Sequence, residues 1–264
     1  MKIRSLLNSL LVCGVVLAMA SSAFAETKAI KAKVMKLKGQ ARYKVGNADW
    51  QPLKKDQSIG AGTIIETAQN SQVDLLMGDN GEVPQASLTI GTMLTYQPAN
   101  AQNMLRIWDN TRVAIDTLNV TQTGADVVSE TQLDLQAGHI FGSVKKMSAA
   151  SRYEVKIPNG VAGIRGTTFD INVDGIIKVL DGSIFLNYKD SHGNNASQVI
   201  MTQQMFDART GVLSPLNQAD KTGMPITLQQ LTIGAGLPTA YIIDRTIVNN
   251  VQQPSTPPPV VSPF

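Results

Sequence analysis

The sequence predicts an all-β domain of many short strands, on three observations. Apolar and polar residues alternate with period two from about residue 32 to residue 205, as strands with one buried and one wetted face require. Glycine, asparagine and aspartate punctuate these runs at Gly39, Gly46, Gly60-Ala61-Gly62, Gly138, Gly175, Asp181-Gly182 and Gly193, and such residues supply the conformations that turns need. A strand–helix rhythm and a glycine-rich phosphate loop are both missing from the sequence. A nucleotide-binding α/β fold is therefore disfavoured.

Ahead of this domain, residues 1–25 read as a cleavable export signal. Lys2 and Arg4 form a positive start, an apolar stretch runs from Leu6 to about Ala20, and Ala23 and Ala25 fit a signal-peptidase site. Cleavage would leave Glu26 as the mature N-terminus. The stretch falls short of the roughly 20 residues that span a bilayer as a helix, which counts against the rival reading, an uncleaved anchor. Cys13 is the only cysteine; Leu11-Val12 before it do not suit a lipid-anchor site. It leaves with the signal, so no disulfide is expected in the roughly 240 residues that remain, enough for a full core. The 23 Lys and Arg against 20 Asp and Glu become 21 against 20 once Lys2 and Arg4 are removed. That balance, with no basic cluster, predicts no nucleic-acid partner.

Within the mature chain the clearest strand is Tyr153-Glu154-Val155-Lys156-Ile157, where Tyr153, Val155 and Ile157 share one face. Phe169 to Asp174, Val73-Asp74-Leu75, Leu133-Asp134-Leu135 and Ile184, Leu186, Tyr188 repeat the pattern. Residues 95–130 are more polar and read as an insertion of loops with one or two strands, including Thr111 to Ile115. The β domain is bounded at residues 26–210, followed by a linker from Ser214-Pro215 to Gly223-Met224-Pro225 within a 211–252 segment. Ala240, Ile243, Ile247 and Val251 lie on one helical stripe with Thr239 as a cap. That helix is expected to pack on the β domain, with docking onto a partner as the alternative. The proline-rich tail, residues 253–264, is expected to be disordered or polyproline II.

The segment Tyr153 to Ile157, Pro158-Asn159-Gly160-Val161-Ala162-Gly163-Ile164-Arg165-Gly166-Thr167-Thr168-Phe169 resembles the signature of FecR-type domains. Gly39, Trp50, Leu53, Gly60, Gly62 and Thr67 match the opening pattern of that family, and Val73 to Asp79, Leu133 to Gly138 and Val179 to Ile184 extend it across roughly residues 33–190. The resemblance implies a twisted, β-solenoid-like or roll-like all-β domain. Family members with a membrane span relay the state of an outer-membrane receptor to a cytoplasmic sigma factor. The residues ahead of the apolar stretch are too few for a folded cytoplasmic module, so the regulator role is not carried over. A free-standing exported member is the expectation.

Arg165, flanked by glycines, is expected to tie a corner to nearby carbonyls and an acidic side chain, with Gly163, Gly166 and Thr167 shaping that corner. Anion binding through its guanidinium is the alternative. On the first reading, Arg165→Ala should lose stability before any binding. Asp79-Asn80-Gly81-Glu82 reads as a hairpin turn rather than a calcium loop, because the twelve-residue ligand spacing is absent. His139 and His192 are too few for a zinc site and are expected at the surface or in turns. Trp50 is expected in the core, and Trp108, within the insertion, is the candidate exposed contact.

No catalytic residue, metal site or cofactor is expected. Neither histidine has a motif-spaced acid partner, and no Gly-x-Ser-x-Gly occurs. The leading expectation is a non-enzymatic extracytoplasmic binding module facing an envelope protein or a glycan, periplasmic or secreted. A structural envelope component is the second, and a polysaccharide-active enzyme the third. An open strand edge would favour partner binding; a deep pocket with two facing carboxylates would favour the enzyme.

Overall fold

The structure, a computed structural model, describes residues 26–78, 102–123 and 126–234. Residues 1–25, read from the sequence as an export signal, together with Asp79 to Glu82, the stripe from Thr239 to Val251 and the proline-rich tail, lie outside the described residues. As the sequence predicts, the fold is all-β: one sheet of many short strands, rolled upon itself, with a single helix near the end of the described chain.

Two long strands make the roll. β13 (Gly160–Asn172) and β14 (Ile176–Lys189) pair antiparallel along most of their length, with register shifts between Arg165 and Phe169. Each changes its other neighbour at that bend. The first part of β13 pairs with β12 (Arg152–Ile157), and the part from Thr168 pairs with β11 (His139–Ser143). Likewise β14 meets β16 (Gln204–Asp207) with its first residues and β15 (Asn195–Met201) with its last. A strand that bends at a bulge can serve two sheet layers, and the two layers here enclose the core.

One layer continues from β12 through β10 (Asp126–Ala137) and β9 (Arg112–Thr123) to β6 (Thr63–Thr67), β3 (Ala41–Val45) and β4 (Gln51–Pro52). The β10–β12 ladder is parallel. β1 (Glu26–Ala29) joins the far end of β9. The other layer continues from β11 through β8 (Asn103–Ile107) and β7 (Gln72–Met77) to β2 (Ala32–Lys38) and β5 (Ser58–Ile59). β17 (Val212–Pro215) lies beyond β16. Between the layers, Val73, Leu75, Leu105 and Ile107 meet Val113, Ile115, Leu133 and Val155, all fully buried. The period-two alternation is thus the core pattern itself.

Two sequence expectations need correction. Residues 95–130 are not an insertion: their described part supplies β8 and β9, which lie centrally, one in each layer. Polar residues on the outer faces of these strands diluted the apolar signal. Nor is 214–225 a linker. β17 carries the sheet to Pro215, and α1 (Gln218–Gly234) begins three residues later. Asn217 caps α1, its Oδ1 accepting from the Asp220 N–H at 2.8 Å. Met224, Leu228 and Leu231 then follow at helical spacing toward the sheet. Pro225 lacks the N–H that would reach back along the helix, a defect of about 3 kcal/mol in an isolated helix. Burial of Met224 and Leu231 against Leu76, Met104 and Phe141 offsets it, at roughly 1.5–3 kcal/mol per buried side chain.

Candidate functional site

The glycine corner that the sequence singles out lies at the bend shared by β13 and β14. Gly166 has φ +61 and Gly182 has φ +93. A Cβ on Gly182 would stand 2.4 Å from the Gly166 carbonyl oxygen, so the two turns pack backbone to backbone. Thr167, fully buried, locks them: its Oγ1 accepts from the Ser183 N–H at 3.1 Å and lies 2.7 Å from the Ser183 carbonyl. Gly163, without a side chain, lies opposite Phe185. Arg165 does not tie the corner. Its side chain is exposed and has no hydrogen-bond partner among the described residues. Arg165→Ala should therefore stay within about 0.5 kcal/mol of the parent, whereas Thr167→Val, which leaves the Ser183 N–H unmet, should cost about 1–3 kcal/mol. Denaturant melts of both variants check the contrast.

A second feature was not legible in the sequence. On the outer face of the second layer, register places Lys36, Asp74, Arg106, Phe141, Asp170 and Lys178 in one row across β2, β7, β8, β11, β13 and β14. Charges alternate along it, interrupted by one phenyl ring. Arg106 grips Asp74 through two bonds of 2.8 and 2.9 Å, and both side chains are essentially unexposed.

α1 lies along this row. Asp220 reaches Lys178 at 2.7 Å, Gln230 reaches Arg106 at 3.2 Å, and Gly234 ends beside Asp74 and Lys36. Residues 220 to 234 span about 21 Å of helix, and β14 to β2 span about 24 Å of sheet, so helix and row match in length.

Trp108 belongs to this covered face and is not an exposed contact. It is half-buried, its ring stacked on His139 at 5.5 Å with Arg106 5.3 Å above it, and its Nε1 is buried without a partner among the described residues. His139 is correspondingly not a surface residue; burial and Lys178 lower its pKa against the pull of Asp109. His192 lies exposed in its turn, as expected.

Burial raises the Asp170 carboxyl to about 6, with Asp220 adding to the shift and Lys178 opposing it. A folded pKa above the ordinary 3.8 favours the neutral acid, so its stabilising share is complete below 3.8 and is lost as pH rises through 6. Asp170→Asn should then be the more stable protein near neutral pH, by at most about 3 kcal/mol, and the gain should vanish near pH 4. Thermal melts across that range test this.

The third feature is open. Trp50, expected in the core, is only half-buried and precedes β4 on the outer face of the first layer. Arg42 and Lys44, two apart on β3, place their charges 4.6 and 5.2 Å from its ring centre; Arg112 on β9 stands 6.0 Å away. Glu66 on β6 lies between the two arginines, bonded to Arg42 at 2.9 Å and to Arg112 at 2.7 and 3.1 Å. Burial alone would raise Glu66, but these two guanidiniums outweigh it and hold the carboxyl below its usual range. The indole, Pro52 and Leu37 line a cleft of about 700 Å³ with Arg42, Glu66 and Gln40 on its polar side. Gly60 and Gly62 shape the turn into β6, where Gly62 takes φ +79.

A cleft of about 780 Å³ also opens near Asn159, Lys156 and Asn195, but its aromatic, Tyr188, is turned edge-on to the core ring of Phe206. Asp170 and Asp220, the two carboxylates that act on each other, have Lys178 between them and α1 overhead, and they line neither cleft.

No curated protein matches this chain in sequence. Two crystal structures of candidate anti-sigma factors from Parabacteroides distasonis ATCC 8503 resemble it. One, solved at 1.65 Å, has TM-score 0.39 and 10% identity over 60% of this chain and 62% of that one. The other, at 2.50 Å, has TM-score 0.30 and 10% identity over 75% of this chain and 63% of that one. This chain thus spans less than two thirds of either. Residues 63–185, from β6 through the glycine corner to Phe185, match the family described as FecR protein.

Proposed function

We propose that this FecR-domain protein is a non-enzymatic extracytoplasmic binding module that holds another envelope component, a protein or a glycan, at the Trp50 cleft. The observation that carries this reading is the half-buried indole beside an open cleft, ringed by three cations that its own fold leaves partly in solvent. An aromatic face with planar hydrogen-bonding groups beside it offers stacking and directional bonds together. Arg42 and Arg112 are 51% and 46% exposed, so each can still donate to a ligand while holding Glu66. Export rests on the signal-peptide pattern of residues 1–25.

Trp50 and Trp108 are the only two tryptophans, so a Trp108→Phe protein carries one indole reporter at the cleft. Titration with soluble envelope glycan fragments, and separately with solubilised envelope proteins, should change its fluorescence saturably in one arm. The parent should bind that same component and a Trp50→Ala protein should not. Unchanged fluorescence in both arms, or equal binding by Trp50→Ala, would sink the reading.

A further inference from the structure

We propose that two copies of this protein join edge to edge through β15, antiparallel about a twofold axis, to form one continuous sheet. Among the described residues β15 pairs on one side only, with β14. Its other side shows backbone groups at alternate positions. The Val199 carbonyl accepts from the Gln198 side chain at 2.7 Å, and the Met201 N–H donates to Gln204 Oε1 at 2.8 Å. Both are exposed side-chain substitutes for a missing strand.

Exposed strand edges are normally guarded by charge, proline or short length. The other edges obey this rule. β1 carries Glu26 and Lys28, β4 and β5 have two residues each, and β17 ends at Pro215. β15, Asn195-Ala-Ser-Gln-Val-Ile-Met201, has seven residues with no charge and no proline. Beside it on the outer face stand Val199 and Met201, 45% and 52% exposed, and Phe185, 49% exposed and directly opposite Val199. An apolar patch therefore adjoins an unguarded edge.

A second copy fits this edge best. A neutral strand placed against itself sets no like charges opposite one another, and an antiparallel pair about a twofold is closed, so assembly stops at two. The axis stands perpendicular to the sheet, which puts both copies of the patch on one face of the joined sheet. Backbone bonds hold the pair, and the two patches shield each other across the seam.

Light scattering of the processed full chain, from low to high micromolar concentration, should show the mass rising from monomer to dimer. Val199→Lys sets a charge on each side of the seam, and Ser197→Pro removes an outward N–H and blocks the approach. Both should remain monomeric across the range. Val199→Lys lies on an exposed face and should keep the parent melting temperature, so it serves alone if the proline variant does not fold. A parent that stays monomeric, including one that captures a different protein at this edge, overturns the proposal. So does a Val199→Lys protein that dimerises like the parent.

Discussion

Arg106→Met should lower stability by about 3–5 kcal/mol, the usual result of stranding one member of a buried ion pair. Asp74, at 1% exposure, would be left with Gln72 as its side-chain donor, at 3.0 and 3.2 Å. For a domain of this size, each kcal/mol moves the melting temperature by about 2–4 °C, so the expected loss is on the order of 10 °C. Removing both charges is a different matter. An Asp74→Leu, Arg106→Met protein leaves no orphan and should recover most of the loss, because apolar replacement of a whole buried pair is often neutral or stabilising. Calorimetry on the single and double variants decides between an ion pair that holds the strands together and one that is merely satisfied. Equal losses in both would show that the charges act separately. Arg106 also bonds Gln230, so protease cutting within α1 should rise in the single variant.

Gly182→Ala should be nearly as damaging. At φ +93 an alanine is strained, by about 1–2 kcal/mol. Its Cβ would also meet the Gly166 oxygen at 2.4 Å and the Thr167 Cα at 2.8 Å, backbone atoms that cannot turn aside. Gly193→Ala separates the two effects, since Gly193 has φ +81 with nothing within 4 Å of the added carbon. That variant should lose only the conformational part. If Gly182→Ala and Gly193→Ala unfold at the same denaturant concentration, the close approach of the two turns contributes nothing.

The sequence made the roll legible because its inner faces are apolar at every second position, as in Tyr153, Val155 and Ile157. The corner was legible too, through Gly166 and Thr167, whereas the side chain of Arg165, the conspicuous charge between them and Gly163, is exposed and takes no part in it. The row from Lys36 to Lys178 was hidden because only Asp170 and Lys178 are near neighbours in the chain, whereas each other step joins distant residues, Asp74 and Arg106 among them. Only strand register brings them together. α1 was masked by Gly223 and Pro225, strong local breakers overruled by a cap at Asn217 and by tertiary burial of Met224 and Leu231. The two tryptophans exchanged expected roles for a similar reason. Trp108 follows a central strand that α1 covers, while Trp50 precedes the two-residue strand β4 at the rim of its layer.

The proposed function makes the Trp50 cleft a recognition surface. Capture from a detergent-solubilised envelope fraction by the immobilised processed chain, run beside Trp50→Ala of equal melting temperature, tests it most directly. The parent should retain a defined protein or glycan that Trp50→Ala fails to retain. Retention by both to the same extent, or by neither, would contradict it.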